Sequence, residues 1–334
     1  MKIIGIGDLL IPAEYIERAF ADLRKDGHIV ETITWKMENY EELQKINLIV
    51  EQQGPEQYTF SDDFIESIQD AEILITQFCP VNRQLLDRCK NLKLIGVLRG
   101  GVENINVEYA ASKNIAVCAT PGRNANAVAD FTVGLLLSEC RNIARSYKNL
   151  KTGNWVRDYA NAGHVPDLAG KRVAIIGLGE IGKKVAARLH AFDMEILGYD
   201  PYAKMVPEYI RMDELMKIVG VADFITIHSR LTENTRHMIN AELIKKMKST
   251  AYFINTARSG LVDETALFTA LKKKEIMGAA IDVFDIEPLA KDCPFLELDN
   301  ITITPHLAGG TADAFYHSPY LLRERMSAYG YFTN

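Results

Sequence analysis

The chain has 334 residues and a formal net charge of −6. That length suggests two domains and suffices for a sizeable core, and the acidic balance gives no reason to invoke a nucleic acid or an anionic membrane surface as a partner. The five cysteines (Cys79, Cys89, Cys118, Cys140 and Cys293) form no CxxC pair and leave an odd residue, which points to a reduced, cytoplasmic setting with no metal site and no disulfide framework.

Met1–Asp8 reads as a first strand, not as a leader, and no apolar stretch is long enough to span a bilayer. Strands and helices then alternate. Lys2 to Gly7 is expected as a strand, Pro12 to Lys25 as a helix and His28 to Thr34 as a strand, with short strands at Ile73 to Gln77, Leu92 to Leu98 and Ile115 to Ala119. A long helix rich in small residues is expected from about Asn124 to Leu150.

The most telling segment follows. The β-branched run Arg172–Ile176 feeds Gly177-x-Gly179-x-x-Gly182, and Ile181, Val185, Ala186 and Leu189 recur beyond it at helical spacing. A second apolar run, Met194 to Tyr199, ends in Asp200. This strand, glycine turn, helix, strand and carboxylate form the order of a dinucleotide-binding βαβ unit. Gly177 permits the tight turn, Gly179 lets backbone approach a pyrophosphate and Gly182 lets the helix lie close on the sheet. Amides around Glu180 and Ile181, at the positive end of the helix dipole, face the phosphates. Asp200 can accept hydrogen bonds from the adenosine ribose and would repel a 2′-phosphate, which favours NAD over NADP.

Further strands are expected at Phe224 to His228, Tyr252 to Asn255, Ala279 to Val283 and Ile301 to Thr304. Over a third of the chain precedes the fingerprint, and the segment after Pro305 is too short to be a domain. The expected fold is therefore α/β, with two Rossmann-like doubly wound domains. The cofactor domain, residues 119–308, is inserted in a discontinuous substrate domain of residues 1–118 and 309–334, and no regulatory domain is expected after residue 334.

Six motifs stand in order: Leu98–Ile105, Thr120–Asn126 with Ala129–Gly134, the Gly177 fingerprint, Asn255–Asp263, Ala280–Phe284 with Glu287-Pro288, and Thr304–Leu307. In these the chain resembles the NAD-dependent D-isomer-specific 2-hydroxyacid dehydrogenases, from about residue 70 to 312. The resemblance implies hydride transfer between a D-2-hydroxy acid and a 2-oxo acid. It makes His306 the acid/base, a role suited to the residue type that exchanges protons near neutrality. Glu287 orients that imidazole, and Arg258 grips the substrate carboxylate with a planar guanidinium. Gly100 and Gly101 offer backbone amides to the same carboxylate. His228, Ser229, Thr256, Ala257 and Asp282 join Gly177, Gly179, Glu180, Ile181, Gly182, Asp200, Arg258 and His306 at the cofactor, Asp282 at the nicotinamide amide; the alternative for Asp282 is a buried acid at a strand end. A homodimer through the cofactor domain is implied as well.

Arg99, just before Gly100, is free on this reading to take the distal end of a longer substrate, which favours a phosphorylated or polyhydroxylated acid such as 3-phosphoglycerate. The alternative is that Arg99 pairs with Glu103 and braces the loop. A glyoxylate or hydroxypyruvate reductase is the nearest alternative activity. An NAD-sensing corepressor with little turnover is the alternative from another class, and a formate dehydrogenase is disfavoured because Glu287 stands where that reaction uses glutamine.

Overall fold

A computed structural model describes residues 1–332. Thr333 and Asn334, the end of the expected C-terminal segment, lie outside the described residues. The chain packs as two compact units, Met1–Asn124 with the residues from Thr311 onward, and Ala125–Gly310.

In the first unit, β1 (Lys2–Gly7), β2 (Ile29–Thr34), β3 (Ile73–Thr76), β4 (Leu94–Val97) and β5 (Ala116–Ala119) form a parallel sheet in the order β2-β1-β3-β4-β5. Ile4 and Ile6 enter one apolar core and Ile3 another. Both faces are therefore covered, which is why these strands read as unbroken apolar runs.

The second unit holds β6 (Arg172–Ile176), β7 (Glu195–Tyr199), β8 (Ile210–Met212), β9 (Phe224–Ile227), β10 (Tyr252–Asn255), β11 (Gly278–Ile281) and β12 (Ile301–Ile303). They pair in the order β12-β11-β10-β9-β6-β7-β8. Ala174 and Ile176 point into one core, Val173 and Ile175 into the other. The strand β8 has no counterpart among the sequence expectations, because three residues at a sheet edge leave too short a pattern to read.

Three further differences have identifiable causes. The first crossover falls after Asn124 instead of residue 118, because Thr120 stays bound to the first sheet through N–H to Arg99 O (3.0 Å) and Oγ1–H to Val97 O (3.1 Å). The return falls after Gly310 instead of residue 308, with the Gly310 amide bonded to Leu307 O at 3.0 Å. The expected helix from 124 to 150 is two helices, Ala125–Cys140 and Ile143–Lys151, broken at Asn142 with φ 58°. Asparagine tolerates that left-handed conformation, and its side chain is held by Asn161 Oδ1 at 2.8 Å and by Arg145 Nη1 at 3.1 Å. No helix of the described residues is long and apolar enough to cross a membrane.

Candidate active site

In the second unit the sheet grows from β6 in both directions, so the carboxyl ends of β6 and β9 adjoin at the topological switch point, where doubly wound sheets take ligands. The glycine fingerprint stands there. Gly177 has φ 93°, and a Cβ on it would fall 2.7 Å from the His228 carbonyl carbon and the Ser229 nitrogen. A Cβ on Gly182 would fall 2.0 Å from Gly177 O, so this glycine sets the close packing of helix Glu180–His190 on the turn. A Cβ on Gly179 would meet no atom within 4 Å, and this residue caps the helix without a side-chain hydrogen bond. Unblocked amides and a bare glycine at the positive helix end fit a pyrophosphate.

Asp200 closes the second strand. Its Oδ2 accepts the Leu178 amide at 2.8 Å and its Oδ1 the Tyr202 amide at 2.8 Å. The carboxylate therefore braces the glycine turn while each oxygen keeps a lone pair for a ribose hydroxyl. Glu180 opens the helix with an exposed side chain, and Ile181 packs against the core beneath.

The remaining expected cofactor residues follow β9 and β10. His228 Nε2 lies 3.0 Å from Thr226 Oγ1, its Nδ1 is buried without a partner, and burial pushes its pKa down to about 3, which makes the imidazole neutral. Ser229 Oγ donates to Ile176 O at 3.3 Å. Thr256 Oγ1 is 2.7 Å from Thr132 Oγ1, which itself donates to Val128 O, so Thr256 is the donor of that pair. The Ala257 amide is held by Asn255 Oδ1 at 3.0 Å, and its carbonyl accepts Arg258 Nη1 at 2.7 Å. The Arg258 side chain is exposed, with most of its donor fork free for an anion.

After β12 the chain turns through His306 at φ 54°, a conformation uncommon for a non-glycine residue and typical of functional sites. Two carboxylates hold it there. His306 Nδ1 lies 2.8 Å from Glu287 Oε2, and Glu287 Oε1 accepts the Phe284 amide at 2.9 Å. Asp282, expected at the nicotinamide amide, is fully buried and occupied elsewhere: Oδ1 accepts Thr304 Oγ1 (2.5 Å) and the Leu307 amide (2.9 Å), and Oδ2 the Ala308 amide (2.9 Å). Its first task is to fix the loop on both sides of His306. Sequence reasoning missed Thr304 in this role, although it opens the Thr304–Leu307 motif. It also missed Glu264, whose Oε1 accepts the Asp285 amide at 2.7 Å near Glu287; no spacing marks that residue.

The first unit overturns one expectation. Arg99 is not free: its Nη2 meets Glu51 Oε1 at 2.5 Å and Glu103 Oε2 at 3.3 Å, its Nη1 donates to Asn47 Oδ1 at 3.2 Å, and its Cζ lies 5.2 Å from the Phe78 ring centroid. Glu51 and Asn47 come from a helix 48 and 52 residues away in sequence, beyond the reach of local pattern. Gly100 lies open except toward Pro121. At Gly101 a Cβ would fall 2.1 Å from Glu103 Oε2, so the Glu103 carboxylate, drawn in by Arg99, occupies that side of the loop.

A doubly wound unit with this fingerprint and a carboxylate-held histidine defines a nicotinamide-dependent oxidoreductase class. Residues 133–308 match the NAD-binding domain of the D-isomer specific 2-hydroxyacid dehydrogenases, and the chain belongs to that family. It is 42% identical over 258 residues to D-3-phosphoglycerate dehydrogenase of Methanocaldococcus jannaschii; the match covers 76% of this chain and 48% of that one, so the chain spans about half the length of that relative. It is 38% identical over 259 residues to hydroxypyruvate reductase of Thermotoga maritima, covering 76% of this chain and 83% of that one. A solved structure of a Thermus thermophilus protein is 28% identical and superposes with a TM-score of 0.73, covering 98% of this chain and 96% of that one.

Proposed function

We propose that the chain is an NAD-dependent oxidoreductase that interconverts a D-2-hydroxy acid and a 2-oxo acid. The observation that carries this reading is the His306–Glu287 pair, 2.8 Å long, on a loop anchored by Asp282. A carboxylate only accepts, so Nδ1 carries the proton of that bond and Nε2 is the nitrogen left for the substrate oxygen. Gly177, Gly179, Gly182 and Asp200 would hold NAD, with His228, Ser229, Thr256 and Ala257 lining it from the neighbouring strand ends. When bound, NADH supplies the hydride that reaches C2 of the oxo acid. Arg258 grips the carboxylate and fixes the orientation of C2, and His306 delivers a proton to the 2-oxygen, completing the hydroxyl. In the reverse direction it takes that proton back.

The substrate is a small 2-oxo acid. Relatives are named hydroxypyruvate reductase, glyoxylate reductase and D-3-phosphoglycerate dehydrogenase, and the engagement of Arg99 with Glu51 and Glu103 removes the feature that favoured a phosphorylated substrate. Oxidation of NADH should be measured with glyoxylate, hydroxypyruvate, 3-phosphohydroxypyruvate and pyruvate. Turnover of one or more supports the reading, and turnover of none by protein that binds NADH rejects it.

A homodimer through the second unit is part of the proposal. Helix Ile143–Lys151 buries none of its residues within the chain, and Ile143, Tyr147, Leu150 and Trp155 are exposed, Trp155 at 81%. Contiguous apolar exposure of this kind marks an association surface. Light scattering should give twice the chain mass, falling to one chain mass in Tyr147→Lys/Leu150→Lys; a monomeric wild type rejects it. Five free cysteines, four of them buried, support a reducing, cytoplasmic compartment.

A further inference from the structure

Two carboxylates grip consecutive backbone amides of the turn that carries Glu287. Glu287 Oε1 accepts the Phe284 amide at 2.9 Å, and Glu264 Oε1 accepts the next amide, that of Asp285, at 2.7 Å. Glu287 Oε2 meanwhile meets His306 Nδ1 at 2.8 Å. Glu264 comes from outside the turn. It opens helix Glu264–Lys272, which Asp263 caps through Oδ1 on the Ala266 amide at 2.9 Å. Leu267, Ala270 and Leu271 of that helix lie in the same buried cluster as Phe284. Glu264 therefore ties the turn holding Glu287 to a packed element of the same unit.

A hydrogen bond alone does not account for the residue type. A glutamine oxygen also accepts an amide, without setting one negative charge near another. The groups that act on the half-buried Glu264 are acidic: burial raises its pKa most, the charges of Asp285 and Glu287 add to that, and the bond from the Asp285 amide opposes it. Asp263, the preceding residue, is acidic too. A place in the first turn of the helix, at the positive end of its dipole, favours the ionised form. The nearby cation that offsets such a cluster is the imidazolium of His306, formed against Glu287, and a negative charge close by favours that protonated form.

Resting on the dehydrogenase reading above, we propose that Glu264 is a positioning residue for the His306–Glu287 pair, with two separable contributions. Its hydrogen bond to Asp285 holds the turn that aims Glu287, and its charge, added to that of Glu287, strengthens the hold of His306 on its proton. The second contribution favours reduction, because it keeps the acid that protonates the 2-oxygen loaded to higher pH.

The test is the pH dependence of kcat/KM for reduction of glyoxylate or hydroxypyruvate by NADH, in the wild type, Glu264→Gln and Glu264→Ala. Reduction needs protonated His306, so the rate falls as the pH rises through the His306 pKa. Loss of a nearby negative charge moves that fall to lower pH. In both variants it should move down by roughly 0.2–0.7 pH unit, the scale of a partly exposed charge pair. Glu264→Gln keeps an acceptor for the Asp285 amide and Glu264→Ala does not, so the rate plateau of the glutamine variant should exceed that of the alanine variant by on the order of 10-fold, the scale of one unmatched amide. Titration of the histidine ring protons by NMR, with the His306 signal assigned by its loss in His306→Ala, should show the same downward shift in Glu264→Gln without turnover. That measurement also covers a failure of Glu264→Ala to fold. A pH profile and a His306 titration unchanged in Glu264→Gln overturn the proposal. So does an alanine plateau at the wild-type level, and so does a plateau lost equally in both variants, which marks a structural role alone. Turnover of neither acid by NADH-binding wild type rejects the dehydrogenase reading itself, whereas with wild-type turnover intact the other results count against Glu264 only.

Discussion

The buried carboxylate of Asp282, one residue past β11, accepts the backbone amide of Leu307 at 2.9 Å, and so fixes from the sheet the residue that follows His306. Under the proposed mechanism, Asp282 thus acts as a positioning residue for His306 through the backbone that follows it. Asp282→Asn exchanges one acceptor oxygen for a donor and leaves an amide without its partner. It should cost about 1–3 kcal/mol of local stability, speed hydrogen exchange at Leu307 and Ala308, and lower kcat. Unchanged exchange in the 303–310 segment would show that the loop holds itself.

Asp200 joins the cofactor question to the glycine turn, since its Oδ2 holds the Leu178 amide at 2.8 Å. The wild type should use NADH in strong preference to NADPH. Asp200→Ala should narrow that preference by weakening NADH more than NADPH, because the repulsion of a 2′-phosphate is lost together with the ribose acceptor. Comparable kcat/KM values for the two cofactors in the wild type would remove the ribose role from Asp200.

His228 gives a pH signature of stability. Burial takes its pKa from 6.5 down to about 3, so between those values the unfolded chain binds a proton that the folded one does not. Stability contributed by the neutral ring is complete above pH 6.5 and is lost as the pH falls toward 3. Denaturant midpoints measured from pH 7 to 4 should therefore fall more steeply for the wild type than for His228→Gln. Parallel slopes would mean that the ring is solvated.

Much of this was legible in the chain. The fingerprint from Arg172 to Asp200 is local, each residue a few positions from the next, and β6, the turn, the helix and β7 appear where the spacing places them. What escaped was decided at long range or by single residues. Asn142 splits a helix whose composition gives no warning, because its cause is Asn161. The fate of Arg99 depends on Glu51.

Arg99 is expected to serve stability. With its guanidinium enclosed by Glu51, Glu103, Asn47 and the Phe78 ring, Arg99→Ala should lower the Tm and leave the ratio of kcat/KM for 3-phosphohydroxypyruvate to that for hydroxypyruvate unchanged. A selective loss on the phosphorylated acid would restore Arg99 to the substrate.

The acid/base role of His306 is tested most directly by single-turnover oxidation of bound NADH by hydroxypyruvate or glyoxylate, in the wild type and in His306→Ala, with the NADH dissociation constant measured on the same preparations. Removal of a positioned acid/base should slow the step by roughly 10²–10⁴-fold while NADH binding stays nearly intact. A His306→Ala protein that oxidises NADH at the wild-type rate would contradict the account at its centre.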